Sequence, residues 1–122
     1  MLAAPSQAYA TSKFAVRGFT ESLIADCRVN APHLTVSCVM PGEIATNLHP
    51  RGTTSAAAAS KTIIDGVRDG RWHILVGDDA VTLDRMLREQ PDEAYGFDFW
   101  AELNAAVRIS AFYPQIPFVF RV

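Results

Sequence analysis

Cations are scarce in this chain. It has 11 Lys and Arg against 13 Asp and Glu, a formal net charge of −2. No positive surplus is left to hold a nucleic-acid backbone or an anionic membrane. Cysteine is scarce as well. Cys27 and Cys38 do not make a disulfide scaffold and read as buried thiols in a reducing compartment. No apolar run reaches membrane-spanning length. The opening Met1–Pro5 has no charged leader and no long apolar region, so it does not read as a signal peptide. His33, His49 and His73 with Cys38 lack metal-ligand spacing, and no metal site is expected. There is no repeat and no low-complexity segment. With 122 residues, 49% apolar and 20% charged, the chain suits one globular domain. The expectation is a cytoplasmic domain with neither nucleic acid nor membrane as partner.

Apolar spacing then organises the chain. Ala15, Phe19, Leu23 and Cys27 recur every fourth residue with Val16 beside them, which predicts a helix over 8–29 with one apolar face. Pro5 and Ser6 signal its start, and Asn30-Ala31-Pro32 its end. Residues 34–40 are short, β-rich and apolar, as in a strand buried on both faces. Pro41-Gly42 ends it, and 43–54 reads as a loop. A second helix is expected over 55–68, with Ala56–Ala59 as close-packing surface. Gly70 breaks the chain before a second buried strand, 72–76. Gly77-Asp78-Asp79 turns it into a helix near 80–90, ended by Pro91. Asp78, Asp79, Asp84 and Glu89 read as a solvated acidic surface. A further helix carrying Trp100, Leu103 and Val107 is expected, and Phe97, Phe99 and Trp100 read as core or interface. Helix, strand, helix, strand, helix argues an α/β layer with a parallel sheet, the helix 55–68 being the crossover. Two strands alone leave ladder edges bare, so the architecture looks like part of a larger sheet.

Tyr9-Ala10-Thr11-Ser12-Lys13 opens the first helix. Residues four apart share a face, so the Tyr9 phenol and the Lys13 ammonium can project into one site. A free tyrosine, with a pKa near ~10, exchanges protons poorly at neutral pH. A fixed cation favours the phenolate, by about 4 kcal/mol at ~4 Å and an effective dielectric of ~20. That would suit general acid/base work. Chance supplies about 0.05 such spacings in this composition, so the motif needs its context. Otherwise Tyr9 is a half-buried residue at a helix start beside a solvated Lys13. The context is Pro41-Gly42-Glu43-Ile44-Ala45-Thr46 at the carboxyl end of a buried strand, where ligands of open α/β sheets bind. Gly42 would let backbone approach a ligand, Ile44 offers backbone groups, and Thr46 offers a hydroxyl.

Together these motifs resemble the short-chain dehydrogenase/reductases. The resemblance rests on Tyr9-x-x-x-Lys13, on Phe14-Ala15-Val16-Arg17-Gly18-Phe19-Thr20-Glu21-Ser22-Leu23, and on Pro41-Gly42-x-x-x-Thr46 after a Val-rich strand. It covers residues 3–76 well and runs more loosely to Leu103. It implies a Rossmann-type, doubly wound parallel sheet binding NAD or NADP. Tyr9 would protonate a carbonyl or deprotonate an alcohol of a small-molecule substrate. Lys13 would lower the Tyr9 pKa and hold the nicotinamide ribose hydroxyls. Pro41 and Gly42 would wall the nicotinamide, and Ile44 and Thr46 would bond its carboxamide. Asn47, Leu48 and His49 would lie over the substrate. The full-length form would be a homo-oligomer.

The sequence departs from that family in what it lacks. No Gly-rich G-x-G-x-x-G turn is present to receive a pyrophosphate, and Gly66 and Gly70 do not fit one. The NAD-versus-NADP selector and the catalytic serine would also lie upstream, and Ser6 and Ser12 are too close to Tyr9 for that role. Residues 1–108 therefore read as the carboxyl-terminal half of the domain, the amino-terminal half being absent. Residues 109–122 read as an apolar tail. By itself the chain is expected to bind dinucleotide weakly or not at all. The first reading is an oxidoreductase in truncated form. The alternative is a non-catalytic remnant that docks on a full-length relative through its Tyr-bearing helix. A third is a helix-rich interaction module with accidental motifs. Intact Tyr9, Lys13 and Thr46 favour the first reading, and the abrupt start at Met1 favours the second.

Overall fold

The computed structural model describes residues 7–47 and 49–92. The start signals Pro5 and Ser6, the expected loop residue Leu48, the expected helix near Trp100 with Phe97 and Phe99, and the tail 109–122 lie outside the described residues.

Helix α1 spans Gln7–Asn30, one residue longer at each end than the spacing predicts. It ends where Ala31 N–H donates to Cys27 O, just before Pro32 removes the next donor. A helix of this length extends about 36 Å. Its apolar stripe is not buried as expected. Cys27 is buried, but Phe14 is 49%, Val16 62% and Phe19 69% exposed. The spacing was right for a helix. The partner surface is what the described residues do not provide over the amino-terminal two-thirds of α1.

Strand β1, Cys38–Pro41, is shorter than the expected 34–40 and begins later. Leu34 to Ser37 make no ladder, and Leu34 is exposed. Nor is the strand buried on both faces: Cys38 is buried and Met40 half-buried, but Val39 and Pro41 are exposed. Burial pushes the Cys38 thiol pKa up; Arg17 opposes the shift and Glu21 adds to it. Both cysteines are free and buried, as expected.

After β1 come β2, Ile44–Ala45, and β3, Thr54–Ser55, which pair in parallel; all but Ser55, expected to open the second helix, lie in the segment expected to be loop. Helix α2, Ala56–Arg68, follows at the expected place. Ser55 caps it, its hydroxyl accepting from Ala58 N–H. Of the four alanines expected to pack closely, only Ala59 is buried. The helix closes in a Schellman motif: Arg71 N–H reaches Gly66 O and Gly70 N–H reaches Val67 O. Gly70 takes the left-handed conformation, φ 67°, that this closure needs.

Strand β4, His73–Val76, then pairs in parallel with β1, with Cys38 opposite His73 and Pro41 opposite Val76. Helix α2 is thus the crossover between parallel strands, as the alternation predicts. Ile74 and Val76 are fully buried and, with Ala59, form the core, against which Ile44 and Ile63 pack. His73 is engaged within the fold: its Nε2 lies 2.9 Å from Met40 Sδ and its ring stacks on Trp72. Helix α3, Asp78–Glu89, begins two residues earlier than expected. The whole is a small α/β unit with a parallel sheet, a partial Rossmann-like arrangement. Among the described residues, no helix is long and apolar enough to cross a membrane.

Candidate active site

Tyr9 and Lys13 sit in the first two turns of α1. The helix brings them together as spacing dictates, with Lys13 Nζ 5.4 Å from the centre of the Tyr9 ring, within cation–π range. Tyr9 is half exposed, and Lys13 is exposed. Among the described residues, neither the Tyr9 hydroxyl nor the Lys13 ammonium enters a hydrogen bond or salt bridge. Ser12, between them, is turned back to the helix, donating to Tyr9 O at 2.7 Å.

The carboxyl-terminal part of α1 (Ile24, Cys27, Arg28) shares a shallow cleft with Leu34, Thr35, Val36 and Trp72, just before the two strands begin. Farther up the helix, Arg17 and Glu21 act on the thiol of Cys38, the first residue of β1. No hydrogen bond or ion pair among the described residues joins Tyr9 or Lys13 to the Pro41–Thr46 loop.

The Pro41–Thr46 loop is tied at several points. Gly42 N–H donates to Val76 O at 2.9 Å, and Thr54 N–H to Glu43 O at 3.1 Å. Glu43 N–H donates to the Asp79 carboxylate. Beyond the loop, Thr46 and His49 exchange backbone hydrogen bonds at 3.2 and 3.0 Å, and the Thr46 hydroxyl accepts from His49 N–H at 3.2 Å. His49 Nε2 lies 3.6 Å from Glu43 Oε2, with both atoms shut off from solvent.

Asp79 is the residue that sequence reasoning placed wrongly. It is not part of a solvated surface: it is 7% exposed, in the first turn of α3. A Cβ on Gly42 would fall 2.1 Å from Asp79 Oδ1, so this glycine makes room for a carboxylate of its own chain. Asp84 is likewise engaged, in an ion pair with Arg88. The signal for Asp79 was present in Val76-Gly77-Asp78-Asp79. A strand-ending glycine followed by acids marks a helix start that favours negative charge.

The arrangement matches the nicotinamide–ribose end of a dinucleotide in its donor set. The Lys13 ammonium and Tyr9 hydroxyl are uncommitted among the described residues. The Thr46 hydroxyl is engaged there only as an acceptor, so its proton remains available to a carbonyl oxygen. No cradle for a pyrophosphate accompanies them in the sequence. Among the described residues, no group of three or more His, Cys, Asp and Glu could hold a metal ion.

No solved structure matches the chain significantly. The relatives it matches include the "Putative oxidoreductase SadH" of Mycobacterium tuberculosis, in strains CDC 1551 / Oshkosh and ATCC 25618 / H37Rv. Each is 34% identical over 72% of this chain and 40% of its own length. The chain thus spans well under half the length of these curated relatives. Residues 3–57, from ahead of Tyr9 through β3, match the family described as short chain dehydrogenase. Over that segment the chain is similar to the short-chain dehydrogenase/reductases.

Proposed function

We propose that residues 1–108 are the carboxyl-terminal half of an NAD(P)-dependent oxidoreductase domain that interconverts a carbonyl and an alcohol on a small-molecule substrate. One observation carries the reading: a phenol and an ammonium stand side by side on α1, uncommitted among the described residues, in a chain that also carries Pro41–Thr46 at the carboxyl end of β1. NAD or NADP, when bound, supplies or accepts the hydride. The Tyr9 hydroxyl gives its proton to the carbonyl oxygen, or takes one from the alcohol. The Lys13 charge favours the ionised form of that oxygen, and its remaining donors hold ribose hydroxyls. Pro41 and Gly42 wall the nicotinamide. Ile44 backbone groups and the Thr46 hydroxyl hold its carboxamide and so choose the face it presents. The whole enzyme works as a homo-oligomer in the cytoplasm.

The test is Tyr9→Phe in the natural enzyme that carries this segment. We expect turnover to fall at least about a hundredfold, the lower range of a lost general acid, with dinucleotide affinity within about threefold. Unchanged turnover refutes the assignment. The 122-residue chain alone, lacking a pyrophosphate cradle, binds dinucleotide weakly or not at all, and micromolar binding by calorimetry would contradict this. The exposed Phe14, Val16 and Phe19 favour a second reading, in which the chain is a non-catalytic remnant docking on a full-length relative through α1. Activity of the purified natural protein separates the two.

A further inference from the structure

The Asp79 carboxylate lies between two glycines and one backbone amide. Its Oδ2 accepts from Glu43 N–H, while Oδ1 is buried with no hydrogen-bond partner among the described residues. A Cβ on Gly42 would collide with both oxygens, and a Cβ on Gly77 would come within 2.5 Å of Oδ1 and 2.8 Å of Thr54 Oγ1. Gly77 is at φ 98°, outside the range of ordinary side chains. Two strand-ending glycines, at 42 and 77, are therefore both shaped around one acid. The other side of Glu43 is fixed too, its carbonyl accepting from Thr54 N–H and, at 3.4 Å, from the Thr53 hydroxyl.

From this geometry we infer that Asp79 is a positioning residue. It fixes the backbone of Gly42–Ile44 from outside the loop, and so sets the groups that face the coenzyme. The inference rests on the reading that this loop holds the nicotinamide end. Asp79 is too enclosed to be a ligand itself: its carboxylate fills the space the two glycines leave and serves the loop amide. A charge-assisted bond to a backbone N–H is stronger than a neutral one, and the start of α3 favours the negative charge. One contact thereby makes α3, which lies beyond the matched segment, part of the site's scaffold.

The experiment compares the natural enzyme that carries this segment with its Asp79→Ala, Asp79→Asn and Asp78→Ala variants, the last removing an exposed charge from the same helical turn. Amide exchange is followed by NMR without cofactor, then shifts are followed with millimolar NADH. We expect Asp79→Ala to speed Glu43 N–H exchange by at least about tenfold, the scale of one lost charged hydrogen bond, while Ile74 and Val76 keep wild-type protection. Asp79→Asn keeps an acceptor oxygen and should restore part of the protection. Asp78→Ala should change neither. NADH-induced shifts at 42–46 should weaken in Asp79→Ala. Wild-type exchange at Glu43 in Asp79→Ala overturns the inference, as does faster exchange with unaltered NADH shifts. If Asp79→Ala fails to fold, Asp79→Asn decides in the same way. Wild-type NADH shifts that fall elsewhere and spare 42–46 defeat the coenzyme reading instead, whatever the exchange shows.

Discussion

Three glycines of this fold do three different jobs, and replacing each by alanine should stabilise in one case and destabilise, by different amounts, in the other two. Gly18 is exposed in the interior of α1, with nothing within 4 Å of where a Cβ would sit. Alanine there removes only the entropic cost of glycine in a helix, so Gly18→Ala should stabilise by about 0.5–1 kcal/mol. Gly70 has the same empty surroundings but φ 67°. The left-handed penalty of roughly 1–2 kcal/mol is partly offset by the stiffer unfolded chain, so Gly70→Ala should cost about 1 kcal/mol. Gly77 has both problems. Its backbone, φ 98° and ψ 150°, lies where almost only glycine goes, costing about 1–3 kcal/mol. The Asp79 and Thr54 side chains would also have to move, for about 1–3 kcal/mol more. Gly77→Ala should therefore cost about 2–6 kcal/mol, a large part of the ~5–15 kcal/mol that holds a typical domain. Urea titrations of the three variants, read at constant slope, measure these differences. If Gly77→Ala proves no worse than Gly70→Ala, the close packing of Asp79 between the strand ends is wrong. If Gly18→Ala destabilises, the open surroundings of α1 are wrong.

Removing the Ser55 hydroxyl (Ser55→Ala) should cost about 1 kcal/mol, since Ala58 N–H loses its cap, and thermal denaturation would show it. The raised thiol pKa of Cys38 means that the folded state keeps its proton to higher pH than the unfolded state. Stability should therefore fall as pH rises from the ordinary thiol value into the raised one, and alkylation of Cys38 at pH 8 should lag behind a free thiol. Amides of α1 between Ala10 and Thr20, where no residue is buried, should exchange much faster than those of Ile63 to Val67 in α2. Equal protection in the two would refute the difference in packing.

The sequence carried the order of elements because that order depends on local rules. Periodicity placed α1 within one residue at each end, Ser55 marked the start of α2, and Gly70 marked its end. The β1–β4 pairing followed from alternation and the crossover rule. Burial was less legible, since it depends on which surfaces meet. Of the stripe Ala15–Phe19–Leu23, the described residues leave Ala15 and Phe19 exposed and Leu23 half-buried. Strand β1 is short for a related reason: Leu34 to Ser37 find no ladder neighbour here. Of the site, the Tyr9–Lys13 contact could be read from spacing, because one helical turn fixes it. Asp79 could not, because its contact with Glu43 spans 36 positions and is made only when two strand ends come side by side.

The two halves of the proposed site are held by different means. The Pro41–Thr46 loop is fastened by backbone bonds to β4 and β3 and by a carboxylate from α3. Its shape is set before any ligand arrives. Tyr9 and Lys13 stand on an exposed stretch of α1 whose buried residue, Cys27, lies about 27 Å farther along the helix. Their distance from the loop would therefore be governed by any surface that came to cover Phe14, Val16 and Phe19. Acid/base catalysis needs the phenol within about 3 Å of the reacting oxygen, or one water away. The loop alone cannot secure that reach. If the Tyr9 phenol carries the proton as proposed, the apolar stripe on α1 matters to the chemistry as much as the phenol does, because burying it is what would hold the proton-carrying oxygen still.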